Sequence, residues 1–435
     1  MRWTFNQSKR EYIIAELSRY WPKNKKLIWD LPIEKKDFSF EECVPPVMEW
    51  VKWPEWAHKY SIEGQVFVPH HMMFDKEKSW EKIDWFAVAF WYLNVVAEQS
   101  FERQYGPIHS YSFKLKAWDE NIWKYAWVNR IALFLRLWVG KIQNKDSTEL
   151  LGDIAKESII LTHDIDAVTK TFAIRFKQAI FYLFNSFKSL FNARYKLSLS
   201  NMYHFWRFLF SHDDYWCFDK ILELEDKYHL RSHFNFYAGL GGWDRNIKQL
   251  FYDPAYNVFD NKLRSQIQQM VNNGWTIGLH QSINNWHNKE QMLFEKKRLE
   301  QALGKEVFSC RQHWLRFSWQ KTWVAQEEAG FHLDTTLGFN DRSGFRNSAC
   351  LEYHPWNFEN DRPMTIKVIP MILMDSQLYN YHNYSDDDRI QEMHKWISEV
   401  KNVFGIATVL WHQRVMSDDY GWGDGYKNLI RLVIA

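Results

Sequence analysis

Leu161-Thr162-His163-Asp164-Ile165-Asp166 follows Ser158-Ile159-Ile160, and the reading of this stretch decides the fold. Ser158-Ile-Ile-Leu-Thr162 is a short apolar run rich in β-branched side chains, which reads as a buried strand. Asp164 and Asp166 lie two apart, so on such a strand both carboxylates project from one face near its carboxyl end. There they can divide labour, one ligating a divalent metal while the other acts as a general base on water. A D-x-D pair alone is a weak signal, because transferases and phosphatases also use it and many such pairs are merely solvated strand ends.

Downstream the chain keeps alternating β-rich and helical runs. Phe218–Tyr228 reads as a helix, His233–Tyr237 as a strand, and Lys262–Asn273 as a helix closed by Gly274, a residue suited to the left-handed position after a helix. Trp275–Leu279, Val307–Cys310, Phe331–Leu333, Ile366–Leu373 and Ile406–Leu410 read as further strands. Helices Lys289–Leu303, Trp319–Ala329 and Asp387–Val403 lie between them. This rhythm predicts an α/β domain with a largely parallel sheet or barrel, in which polar residues at carboxyl ends of strands are the ones to inspect.

Those ends carry chemistry. His280 follows Trp275–Leu279, a position from which an imidazole can complete a metal site with Asp166. Arg311 and His313 follow Val307–Cys310: the guanidinium suits a carboxylate that must stay ionised, and His313 suits a third metal ligand or a substrate donor. Asp334 closes one later run and His412 the last, where an imidazole can protonate a leaving amine. Each alone is ordinary. Five β-like runs each leading into Asp, His or Arg form a pattern that chance placement rarely produces.

The order Thr162-His-Asp-Ile-Asp166, Gly278-Leu-His280, Arg311, Asp334 and Leu410-Trp-His412 resembles the motifs of the polysaccharide deacetylases of NodB type (carbohydrate esterase family 4), over about Glu157 to the C-terminus. The wording around Ile277–Ser282, Arg311–Phe317 and Asp334–Arg346 is similar to a bacterial branch found among surface-polysaccharide genes, whose barrel follows an N-terminal domain of uncharacterised function; Asp84–Tyr92 and Tyr125–Arg130 look like that domain. The resemblance implies a distorted (β/α) barrel, a divalent metal, usually zinc, and hydrolysis of an N-acetyl group on a sugar or glycan. It makes Asp164 the base, Asp166 and His280 metal ligands, Arg311 the holder of the base, Asp334 the partner of the acid, and His412 the acid. The metal would polarise the acetyl carbonyl and acidify its water for Asp164. The family's second metal histidine falls at Asn284 here; His313 is the favoured substitute, ahead of His287. Trp314, Arg346 and Trp411 are the expected substrate contacts. Two other readings stand beside this one: a catalytically silent barrel that binds glycans, which the departure at Asn284 favours, and a metal-dependent transferase, against which no Gly-rich phosphate cradle is seen.

The rest of the 435 residues sets bounds. Hydrophobic residues make up 46% and charged ones 25%, as in an ordinary folded protein. The formal charge of +2 gives no global field for nucleic acid. Four scattered cysteines suggest neither a zinc ribbon nor a disulfide scaffold, so a reduced, cytoplasmic setting is expected. No secretory leader and no membrane-spanning helix are expected. The 25 Trp, 21 Tyr and 32 Phe are read first as core filling, ahead of sugar stacking. Residues 1–150 read as a smaller mixed α/β accessory domain, with helical stretches at Ile83–Gln99 and Asn129–Ile142. The polar segment Gln143–Glu149 marks the boundary with the barrel at 151–435. Within the barrel, Ala167–His212 holds seven Lys or Arg and no acidic residue, interleaved with aromatics. A helical lid is the favoured reading of this insert; peripheral contact with an anionic membrane is the other.

Overall fold

The computed structural model describes residues 2–35, 37–73, 79–191, 193–240, 252–382 and 384–435. Eight strands form the main sheet: β1 (Ser158–Ile165), β2 (His233–Tyr237), β3 (Thr276–Gln281), β4 (Ser309–Gln312), β5 (Leu333–Asp334), β6 (Lys367–Val368), β7 (Met371–Met374) and β8 (Ile406–Leu410). Their order is β6-β5-β4-β3-β2-β1-β8-β7. A doubly wound sheet reverses direction from its first strand. This one runs 7-8-1-2-3-4-5-6, the cyclic order of a (β/α) barrel opened between β6 and β7. Pro370 sits at that opening and splits the single strand expected over Ile366–Leu373 into two, because it has no N–H to give a ladder. The architecture is therefore α/β, an open, distorted (β/α) barrel.

By compactness the chain divides into two units. One comprises Met1–Ile160, Trp286–Met292 and Phe308–Val409. Helix Trp85–Leu93 is buried at every position, as an all-apolar helix must be. Its N-cap, Asp84, accepts from the amides of Phe86 and Ala87 and pairs with Arg10 Nη2 at 2.9 Å. The helix expected over Ile83–Gln99 is two, because Val95 turns left-handed (φ 47°) before helix Val96–Tyr105. Trp53 stacks on Phe134 at 4.5 Å, and Trp56 lies on the same ring, so these aromatics fill the core. Asn129 on helix Trp127–Gln143 exchanges two hydrogen bonds of 3.0 Å with the backbone of Cys350, and Arg130 forks onto Glu399 at 2.6 and 2.8 Å. Within Gln143–Glu149, Asp146 caps a short helix, Ser147–Leu151.

Burial pushes the Glu42 carboxyl in this unit up to about 8. A carboxyl raised on folding adds stability below its unfolded value, and that contribution is lost as pH rises through about 8. Glu42→Gln should therefore gain on the wild type between about pH 5 and pH 9 in urea unfolding; an unchanged difference would contradict this.

The other unit comprises Leu161–Asn285, Leu293–Val307 and Leu410–Ala435. Here β1, β2 and β3 pair in parallel, with Asp164 opposite Asn235 and Tyr237 opposite His280. Alternation turns His163 away from its acidic neighbours. It is fully buried, with Nδ1 2.6 Å from the Trp411 carbonyl and Nε2 3.0 Å from Glu225 on helix Phe218–Lys227. Burial would raise the Glu225 carboxyl, but the hydrogen bond and charge of His163, with hydrogen bonds from Tyr426 and Trp275, hold it low. Glu225→Ala should cost about 3 kcal/mol in denaturant unfolding, since it orphans four buried partners, His163, Tyr426, Trp275 and Ser232; a loss below about 1 kcal/mol would rule the network out as an anchor. The insert folds as two helices, α1 (Phe172–Phe191) and α2 (Tyr195–Phe210).

Candidate active site

The strand register sets the site within the second unit. Asp164 stands beside Asn235, whose Nδ2 donates to its Oδ1 at 2.8 Å. His280 lies two rows further along, in line with the residue after Ile165. Its Nδ1 is 3.7 Å from Asp164 Oδ2 and its Nε2 is 3.3 Å from Asp166 Oδ1. His412, two residues past β8, brings Nε2 to 3.6 Å from Asp166 Oδ2. Arg414 hydrogen-bonds the same carboxylate oxygen. The Tyr256 hydroxyl donates to the Ile165 carbonyl at 2.8 Å and accepts from the Tyr237 amide at 2.6 Å, tying the ends of β1 and β2 together. Asp164, Asp166, His280 and His412, expected together from sequence, are thus brought together. Two carboxylates and two imidazoles at these separations can hold a cation, accept a proton and deliver one.

Of the remaining sequence candidates, Arg311, His313, Trp314, Asp334 and Arg346 lie in the first unit and Trp411 in the second. Arg311 is fully buried; its Nε donates to the Thr335 carbonyl at 3.0 Å and its Nη2 to Thr408 Oγ1 at 3.3 Å. Asp334 accepts from Trp323 at 3.1 Å, from Gln326 at 2.8 Å and from both the amide and the hydroxyl of Thr336. That hydroxyl also accepts from the Gln312 amide at 3.1 Å. Asp334 therefore fixes the Thr335-Thr336 turn that holds Arg311 and the end of β4. Burial raises its carboxyl above the ordinary carboxylate range. His313 is buried immediately after β4.

Of the three expected substrate contacts, Trp314 is 40% exposed on a left-handed backbone (φ 55°), which suits a stacking surface. The other two are buried. Arg346 is 1% exposed, forked onto Glu98 with Nη2 at 2.6 Å, and donates to Ser110 and the Gly338 carbonyl. Its guanidinium is committed to the core. Trp411 is equally buried, packed against Tyr426 at 5.7 Å.

Asn235, Tyr256 and Arg414 escaped the sequence reading. Asn235 had a signal: it is the one amide in the apolar strand His233-Phe-Asn-Phe-Tyr237. Arg414 had only its spacing of two from His412.

No protein-family model matches the chain, and no curated protein does. Among solved structures it is similar to a putative polysaccharide deacetylase from Mycobacterium smegmatis, with 15% identity, 65% of this chain and 85% of that one covered, and a TM-score of 0.38. It is also similar to Puue allantoinase, at 14% identity, 64% and 84% coverage and TM-score 0.36. A third similarity is to a mutant of a CE4-family pseudoenzyme with restored enzymatic activity, at 10% identity, 64% and 63% coverage and TM-score 0.29. At these scores they remain likenesses. The sheet order and the strand-end acids and imidazoles define the class: an open (β/α) barrel with an acid–base cluster.

Proposed function

We propose that the protein is a metal-dependent hydrolase that removes an N-acetyl group from a sugar or glycan, in surface-polysaccharide metabolism. The observation that carries this reading is the convergence of Asp164, Asp166, His280 and His412 within 3.3–3.7 Å pair distances at strand ends of one unit. In it Asp164, oriented by Asn235, takes a proton from the attacking water. His412 gives a proton to the sugar's nitrogen as its bond to the acetyl carbon breaks, so that acetate is released and a neutral amine stays on the sugar. Arg311, by the family resemblance, keeps the base ionised, and Asp334 is a positioning residue for Arg311. Trp314 offers a face to the sugar ring.

Asp166, His280 and His313 are the proposed metal holders. One carboxylate and two imidazoles are a donor set that suits zinc and other borderline divalent cations. A cation held there would polarise the acetyl carbonyl and stabilise the oxyanion that forms. One observation favours the runner-up, a silent glycan binder: Arg414 already pairs with Asp166, so a fixed positive charge competes for a ligand carboxylate.

Acetate release from a panel of N-acetylated glycans and sugar intermediates, with and without added zinc, tests the proposal. Release that a chelator abolishes is expected. Binding of glycans without acetate release across the panel and all metals would put the binder ahead.

A further inference from the structure

The insert presents an apolar surface that the acid–base cluster does not use. Helices α1 and α2 close on each other through small side chains: Ser186 Oγ donates to the Ser198 carbonyl at 2.8 Å, and Ser198 Oγ donates back to the Ser186 carbonyl at 2.9 Å. Ala179 and Phe208 are buried. The outward side of α1 is a stripe at helical spacing: Phe172, Phe176, Ile180, Phe184, Phe187 and Phe191 are all exposed, Phe191 by 88%. On α2 Tyr195, Leu199, Tyr203, Trp206 and Phe210 repeat the pattern, with Leu199 71% exposed. A soluble surface rarely leaves so many large apolar groups contiguous without a partner.

The charge pattern says which partner. Residues 167–212 carry seven basic residues and no acidic one. Three are spent inside the fold: Lys170 on Asp419, Arg175 on the Leu209 carbonyl and Arg207 on the Asp418 carbonyl. Lys188, Arg194 and Lys196 are exposed around the turn between the helices, beside Phe187, Phe191, Tyr195 and Leu199. Basic heads among exposed aromatics match an anionic lipid interface, where rings enter the headgroup layer and cations meet lipid phosphates. A second copy of the same face would bring like charges together. Among the described residues no helix is long and apolar enough to cross a membrane, so the pair would lie in the surface.

We infer that the α1–α2 hairpin docks the protein onto an anionic membrane surface, with the tip at Phe187–Leu199 as its contact. This does not rest on the proposed activity. The test is co-sedimentation of the full chain with phosphatidylcholine vesicles and with vesicles about one-third phosphatidylglycerol, alongside sedimentation velocity without lipid. Pelleting with the anionic vesicles only is expected, weakened by salt. Arg194→Glu/Lys196→Glu and Phe191→Ser/Leu199→Ser should each weaken it about tenfold or more, with circular dichroism unchanged. Should a variant misfold, the salt dependence of the wild type decides instead. Absence of pelleting, equal pelleting with neutral vesicles, or lipid-independent self-association abolished by Phe191→Ser/Leu199→Ser would each overturn the inference, the last by placing a second copy on the face.

Discussion

Asp164→Asn and His412→Ala should each lower acetate release at least about a hundredfold, the usual worth of a positioned base or acid. The two replacements leave the fold intact for different reasons. Asparagine keeps an oxygen to accept from Asn235 Nδ2, which donates at 2.8 Å in the wild type, while losing the ability to take a proton. His412 is 14% exposed and lies in the loop after β8, so its truncation opens no deep cavity. The loss should therefore appear in kcat with unfolding midpoints close to wild type. If both variants release acetate at the wild-type rate, the assigned roles are wrong.

The second large effect is on stability. Arg346→Met should cost about 3–5 kcal/mol, because it strands the Glu98 carboxylate, 1% exposed, without its forked partner. The guanidinium also lies 5.3–5.5 Å from the centres of the Phe317, Trp319 and Phe339 rings, so an uncharged residue of similar length keeps much of the packing. The double variant Arg346→Met/Glu98→Gln should recover a large part of the loss, since no buried charge then remains unpaired. Denaturant unfolding of the two singles and the double measures this coupling. Simple additivity would mean that the pair is not the source of the effect.

The βα rhythm was legible because it rests on local patterning: β2, β8 and helix Lys289–Leu303 lie where apolar runs and Gly304 put them. The site was legible in part for the same reason. A strand end is visible in sequence, so Asp164, Asp166, His280 and His412 could be named without knowing how the strands associate. What depends on distant partners was not visible. The sequence around Arg346 does not show that Glu98, 248 positions earlier, will neutralise it. Trp411 reads as a site aromatic beside His412, yet Tyr426 claims its ring. Nor does the sequence show that Trp323, Gln326 and Thr336 will hydrogen-bond Asp334. The short pairing of Arg2–Phe5 with Phe38–Glu41 carries too few residues for a period to register. The insert was legible as basic and amphipathic; that its two apolar stripes both face outward required the serine-lined contact between α1 and α2.

The proposed function stands or falls most directly on the metal. Elemental analysis of the purified protein, after zinc loading and exhaustive dialysis, should give near-stoichiometric divalent metal. Asp166→Ala, His280→Ala and His313→Ala should each lose it, while Asn284→Ala retains it. Absence of bound metal in the wild type under every loading condition, or retention in all three ligand variants, would contradict the account.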